Sequence, residues 1–335
     1  MTHPAERPRR DLLRWGLAAG GLLAAGRWAP AAGDEARARV VLVKAEERRD
    51  GVPRALRLLG ADGLARKPVV VKPNFNSADP FPGSTHPETL VALVEWLGGA
   101  GASRVTVADR SGMGQTRAVM EAKEVFAQGR KLGFAALVLD ELPARDWVAH
   151  PLPGSHWRRG VLFPRLLEEA EAVVSTCCLK THRFGGQITL SLKNSVGAVA
   201  KYGPDGYDYM RELHGSAAQR KMIAELNLLY RPAAILLDGL EAFVDGGPEA
   251  GTKVAPGVII AGTDRVAVDA VGVAVLRLFR TTPAVSAGRN FQQEQLARAA
   301  EVGIGVGRPG LIDLVTDDPA GEAFLARLRP VLLRG

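Results

Sequence analysis

The sequence is poor in cysteine, in aromatic residues and in long apolar runs. Two cysteines in 335 residues exclude a disulfide framework, and one copy of the chain cannot supply the four thiolates of an iron–sulfur cluster. Aromatic residues are only 6% of the chain. With no nucleic-acid-reading motif present, this argues against a nucleic-acid partner despite the net charge of +7. No segment approaches the roughly 18 uninterrupted apolar residues of a membrane-spanning helix, so no stable span is expected in the mature chain. A phosphate-binding Gly-Lys-Ser/Thr loop, a Gly-x-Ser-x-Gly elbow and a His-Glu-x-x-His helix are also missing, which removes the commonest nucleotidase and hydrolase chemistries.

Much of the positive charge lies at the front. Residues 1–33 hold five Arg against one Glu and one Asp, leaving only four of the seven net charges for the remaining body. Arg9-Arg10 precedes an uncharged run from Trp15 to Gly26 and then small residues around Ala29-Pro30-Ala31-Ala32. That order resembles an export signal of the twin-arginine type, read by its own translocation machinery. A periplasmic or otherwise exported protein beginning near residue 34 is the expectation.

The body alternates between two periods. Apolar, often β-branched runs at 39–44, 67–72, 104–108, 135–139, 172–179, 233–237 and 257–261 are separated by stretches of helical spacing, such as the segment carrying Leu90, Leu93, Val94 and Leu97. Thr85-His86-Pro87-Glu88 has the spacing of a capping box, with Thr85 bonding forward and Glu88 back. Continuous apolar strands are buried on both faces. The expected fold class is therefore α/β, a mainly parallel sheet sandwiched by helices, with two lobes around a crevice as one arrangement. Residues 140–160 lack a clear period and are read as a lid, an ordinary loop or a lobe seam near 140–165.

Ligands of parallel α/β sheets bind beyond the carboxyl ends of the strands, so the residues following each run are the candidates. Lys72 and Asn74 follow the second run, Asp109 and Ser111 the third, Lys180 and His182 the run at 172, and Asp238 the run at 233. Lys180 and His182, two apart on one strand, share a face and could bind an anion and move a proton. They are the catalytic candidates. Lys193-Asn194 lies in a mainly uncharged stretch, where a lysine must pair, snorkel or line a cavity. Lys72, Asn74, Ser111, Lys193 and Asn194 form the candidate ligand-binding set. Asp269 sits in an otherwise apolar helical run and needs a partner, either a metal, a ligand-site lysine, an orphan backbone N–H or an arginine from a neighbouring helix, whereas Asp264 caps the same helix. Asp109, Asp238 and Asp269 are the oxygen donors available to a divalent cation such as Mg²⁺ or Ca²⁺. Cys177 and Cys178 adjoin on one strand and are expected as two buried thiols.

Lys72-Pro73-Asn74-Phe75, Thr85-His86-Pro87-Glu88, Lys180-Thr181-His182, Leu192-Lys193-Asn194-Ser195-Val196-Gly197, Asp238-Gly239 and the run from Ala261 to Asp269 occur in an order that resembles the family called domain of unknown function 362. The resemblance runs from about Val40 to Val315 and implies no established reaction. Some similar proteins carry an appended ferredoxin-like segment with repeated Cys-x-x-Cys. This chain has none, so the resemblance implies that a redox role would need a separate iron–sulfur partner or a bound cofactor. The expected function is that of an enzyme acting on a small anionic molecule. The alternatives are a non-catalytic ligand-binding or assembly module and a redox protein with such a partner.

Overall fold

Runs of Val, Ile and Leu crowd their branched side chains least on a pleated strand, and in the computed structural model, which describes residues 36–334, they form twelve strands. In chain order these are β1 (Ala38–Lys44), β2 (Pro68–Lys72), β3 (Arg104–Asp109), β4 (Ala135–Val138), β5 (Trp147–His150), β6 (Val161–Pro164), β7 (Ala172–His182), β8 (Gln187–Thr189), β9 (Ala234–Gly246), β10 (Gly251–Val254), β11 (Val258–Gly262) and β12 (Ile312–Val315). The export segment expected at 1–33 lies outside the described residues.

Ten strands make one mixed, mostly parallel sheet in the order β12-β1-β11-β9-β7-β2-β3-β4, with β8 folded back on β7 and β10 on β9. From β4 to β9 every neighbouring pair is parallel. β11 then runs antiparallel to both β9 and β1, and β12 closes the edge parallel to β1. The side-chain alternation of each strand supplies two cores. Val40 and Leu42 face Cys177, Leu179 and Leu237 beneath the helix Arg265–Leu278, while Val41 and Val43 face Val69, Val71 and Leu236 beneath the helices Arg48–Leu59 and Pro87–Gly99. This is an α/β fold with helices on both faces of the sheet. Residues 36–334 form one compact unit. Within 140–165, β5 and β6 pair as a separate antiparallel two-stranded sheet.

Three local expectations need correction. The helix Pro87–Gly99 is capped by His86, whose Nδ1 accepts from the Glu88 N–H at 3.1 Å. Thr85 instead fixes the segment after β2, its hydroxyl accepting from the Asn74 N–H and its own N–H donating to the Asn74 carbonyl, both at 2.8 Å. Pro87 at the first helical position moves the cap forward, because the residue before a proline is held extended. Secondly, Lys180 and His182 do not follow β7 but lie within it, because β8 returns and pairs Lys180 with Thr189 and His182 with Gln187. Thirdly, Asp238 lies inside β9, which runs on to Gly246 with β11 and β10 as partners.

Candidate functional site

The chain winds from β2 to β3 to β4 on one side and places β7 on the other side of β2. The connections leaving β2 and β7 therefore part at their carboxyl ends and leave a crevice, the usual ligand position in such sheets. Lys72 closes β2, Asp109 closes β3 and His182 closes β7. Asp109 is the clamp between the first two. It accepts from Lys72 Nζ at 2.5 Å and from the N–H groups of Arg110 at 2.8 Å and Phe75 at 2.6 Å. It thereby holds one lysine in position and fixes the backbone on either side of it.

The crevice contains a cavity of about 40 Å³, lined by Lys72, Asn74, Asn76, Asp109, Arg110, His182, Thr189 and Lys193, with Gly112, Val196, Gly197 and Pro248 completing its wall. That is room for two or three waters, or one small anionic group. A Cβ on Gly197 would lie 2.8 Å from Lys72 Nζ and 3.0 Å from Asp109 Oδ1. Only a glycine lets the backbone approach the ion pair so closely. Of the expected site residues, Lys72, Asn74, Asp109, His182 and Lys193 meet at this cavity. Asn76, Arg110 and Thr189 were missed. The first two sit in the runs that follow β2 and β3, whereas Thr189 enters only because β8 folds back, a return whose signal in the sequence is the Gly185-Gly186 pair.

The lining has more cations than carboxylates. Three cationic side chains, Lys72, Arg110 and Lys193, face one carboxylate, Asp109, and that carboxylate is engaged by Lys72. Arg110 is buried and donates to the carbonyls of Ser111 at 3.1 Å and Val196 at 2.5 Å, while its Nε has no partner. Asn76 Nδ2, His182 Nδ1 and Thr189 Oγ1 are likewise buried and unpartnered. Buried polar groups are nearly always hydrogen-bonded, and these four unpartnered atoms belong to residues that line one cavity. Burial, followed by the nearby Lys193 and Lys180 cations, holds the His182 imidazole far below its usual range, so it is neutral. Burial, then Lys180 and Arg110, lowers the Lys193 ammonium to about 7. Asp109 is raised by burial, an effect that Lys72 opposes.

The remaining candidates support this site or stand apart from it. Lys180 is fully buried, donates to Asn74 Oδ1 at 3.1 Å and to the Gly83 carbonyl, and lies behind the lining. Asn194 donates to Ser175 Oγ at 2.9 Å and to the carbonyls of Lys72 and Thr176 at 3.2 Å, joining its turn to the end of β2 and the interior of β7. Ser111 donates its hydroxyl to the Asn76 carbonyl at 2.7 Å. These three position the lining.

The expected metal site does not form. Asp238 accepts from Arg48 Nε at 2.8 Å, from the Thr89 hydroxyl and from the Leu240 N–H. Asp269 accepts from the N–H and hydroxyl of Ser191 and from the Leu192 N–H. With Asp109 held by Lys72, each carboxylate is saturated in its own network, and no group of three metal-ligating side chains occurs among the described residues. Cys177 and Cys178 are buried free thiols, and burial pushes Cys178 up to about 11, so neither is a thiolate at neutral pH.

A wider depression of about 830 Å³ lies by Lys44, Arg48 and Arg54. Its arginines are already engaged, Arg48 by Asp238 and Arg54 by Asp50, Asp317 and Asp318. It offers an anion far less free charge than the small cavity does.

The family model described as domain of unknown function (DUF362) matches residues 69–274. Two solved structures are similar. The lactate racemase apoprotein from Thermoanaerobacterium thermosaccharolyticum is 16% identical, with a TM-score of 0.45, and the match covers 70% of this chain and 57% of that one. A Thermotoga maritima protein solved as a structural-genomics target is 13% identical, with a TM-score of 0.42, over 76% of this chain and 59% of that one. The chain thus matches less than two thirds of the length of either. No curated protein matches it.

Proposed function

Because this chain belongs to the family described as domain of unknown function 362, whose name assigns no reaction, we propose its function from the cavity: an enzyme that binds a small carboxylate or phosphate between the ends of β2, β3 and β7 and moves a proton on it through Lys193. The observation that carries this reading is the set of four buried, unpartnered polar atoms on the lining, beside three cations and one already engaged carboxylate. Such a lining is costly until a bound group supplies partners, and an anion gives acceptors to the Arg110 and Asn76 N–H groups and to the Thr189 hydroxyl. Lys193 favours an enzyme over a carrier. A group that titrates near neutrality is a poor permanent counter-ion but a well-matched proton donor and acceptor. Lys180 and His182, the first candidates for catalysis, fit supporting roles better. His182 is too weakly basic to hold a proton, and Lys180 is bonded behind the lining. The order of residues 1–33 supports placing this activity after export.

Calorimetric titration of the full chain with oxalate and with inorganic phosphate tests the site. One anion should bind, and Arg110→Met should weaken it by about tenfold or more, the loss of a charged hydrogen-bond donor, while leaving the melting temperature within a few degrees. Failure of both anions to bind removes the reading. Proton transfer is checked by incubating small hydroxy, oxo and amino acids with the enzyme in D₂O. Ligands that bind yet are recovered without any exchanged hydrogen would make the protein a carrier.

A further inference from the structure

Resting on that anion site, we infer that Lys193 is a covalent nucleophile whose amine condenses with the carbonyl carbon of a small 2-oxo acid to form an imine, while Arg110 and Lys72 hold the substrate carboxylate. The two lysines on the lining differ in the way this requires. Lys72 is held by Asp109 at 2.5 Å. Lys193 has no hydrogen-bond or ion-pair partner among the described residues. Around it stand the cations Lys180 and Arg110 and the neutral ring of His182. The end of Lys193 and that ring flank the same bare backbone position. A Cβ on Gly186 would lie 3.0 Å from Lys193 Cε and 3.1 Å from His182 Nδ1, itself an unpartnered acceptor. An amine held among cations, without a carboxylate, keeps its lone pair available at neutral pH, as imine-forming lysines must.

The size of the cavity sets the substrate class. About 40 Å³ suits a carboxylate and a carbonyl side by side better than a charged group and a distant electrophile. Adjacent carboxylate and carbonyl groups are the chemistry of a 2-oxo acid. In the step itself, Lys193 Nζ forms a bond to the carbonyl carbon. The carbonyl oxygen then leaves as water, both of whose hydrogens come from the amine, and a carbon–nitrogen double bond remains. Nothing is oxidised or reduced.

The test is reductive trapping. The full chain is incubated at pH 7 with pyruvate and cyanoborohydride, and the adduct is mapped by peptide mass spectrometry, with the exposed Lys131 as an internal reference. Labelling at Lys193 should exceed that at Lys131 by about tenfold or more, because an ordinary lysine is almost wholly protonated at that pH. Lys193→Arg should bind pyruvate calorimetrically yet give no adduct above the reference level. Pyruvate that binds to the unaltered chain but labels Lys193 no faster than Lys131 overturns the imine and leaves the anion site standing. Absence of both binding and labelling, with oxalate and phosphate also inert, overturns the two together.

Discussion

Lys72 and Lys193 line one cavity and carry the same functional group, yet a single neighbour separates their chemistry. Asp109 pairs with the first, while the second is left among cations and is lowered to about 7. The sign of the pH dependence follows. Below 7 Lys193 is an ammonium and contributes to anion binding; above 7 it is an amine and does not. A bound anion favours the charged form, so binding above 7 must be accompanied by uptake of one proton. Oxalate is a dianion throughout this range. Its dissociation constant should therefore hold steady below pH 7 and rise above it by about tenfold per unit at most, the limit for one linked proton, and Lys193→Met should flatten the profile. A slope that persists in that variant would assign the titration elsewhere on the lining. Lys193 could be singled out in the sequence because a charge amid apolar residues needs a reason. Its chemistry could not, because the lowered basicity depends on Lys180 and Arg110, which only the fold brings near.

Asp269 shows how an element is seated by one buried group. The turn Ser191–Asn194 is too short to be stable alone. It is held by the Asp269 carboxylate, from the helix Arg265–Leu278, which accepts from Ser191 N–H and Oγ at 2.8 and 2.5 Å and from Leu192 N–H at 3.0 Å. Lys193 and Asn194 follow at once, so this carboxylate sets where the cavity's lysine begins. Asp269→Asn exchanges one acceptor oxygen for a donor against those N–H groups. It should cost about 1–3 kcal/mol, seen as a melting temperature lower by several degrees and as weaker oxalate binding through the loosened turn. An unchanged melting temperature with lost binding would return Asp269 to the list of groups that touch ligand. The sequence made the anomaly plain, since a carboxylate in an all-apolar helix demands a partner. It could not choose between a metal and a backbone, because Ser191 is 78 positions away. The cap at His86 was misread for a more local reason, a proline one residue on that holds its predecessor extended.

At the scale of the whole molecule, continuous apolar runs were enough to forecast a sheet buried on both faces, and the strand ends gave four of the lining residues. The strand order was not legible. Placing β7 beside β2 depends on a pairing of segments a hundred residues apart, and the turn signals Gly185-Gly186 and Gly246-Gly247-Pro248 mark a reversal without saying which strand the returning segment joins. That order decides which strand ends meet, and hence that Lys72 and His182 share a cavity while Asp238, equally a strand-side carboxylate, does not. Charge is also unevenly distributed along the chain. Three of the seven net positive charges belong to residues 1–33, where the paired arginines precede an apolar run that is only moderately hydrophobic. If these residues address the chain to a twin-arginine translocase, recognition rests on the planar guanidinium pair, which lysine does not reproduce. Replacing both, Arg9→Lys with Arg10→Lys, should leave the full-length protein in the cytoplasmic fraction of its host, while the unaltered chain appears outside it in a shortened form. The variant should also bind oxalate as the unaltered chain does, because its cavity residues are unchanged. Export of the doubly substituted chain at the normal rate would place the address in the apolar run alone.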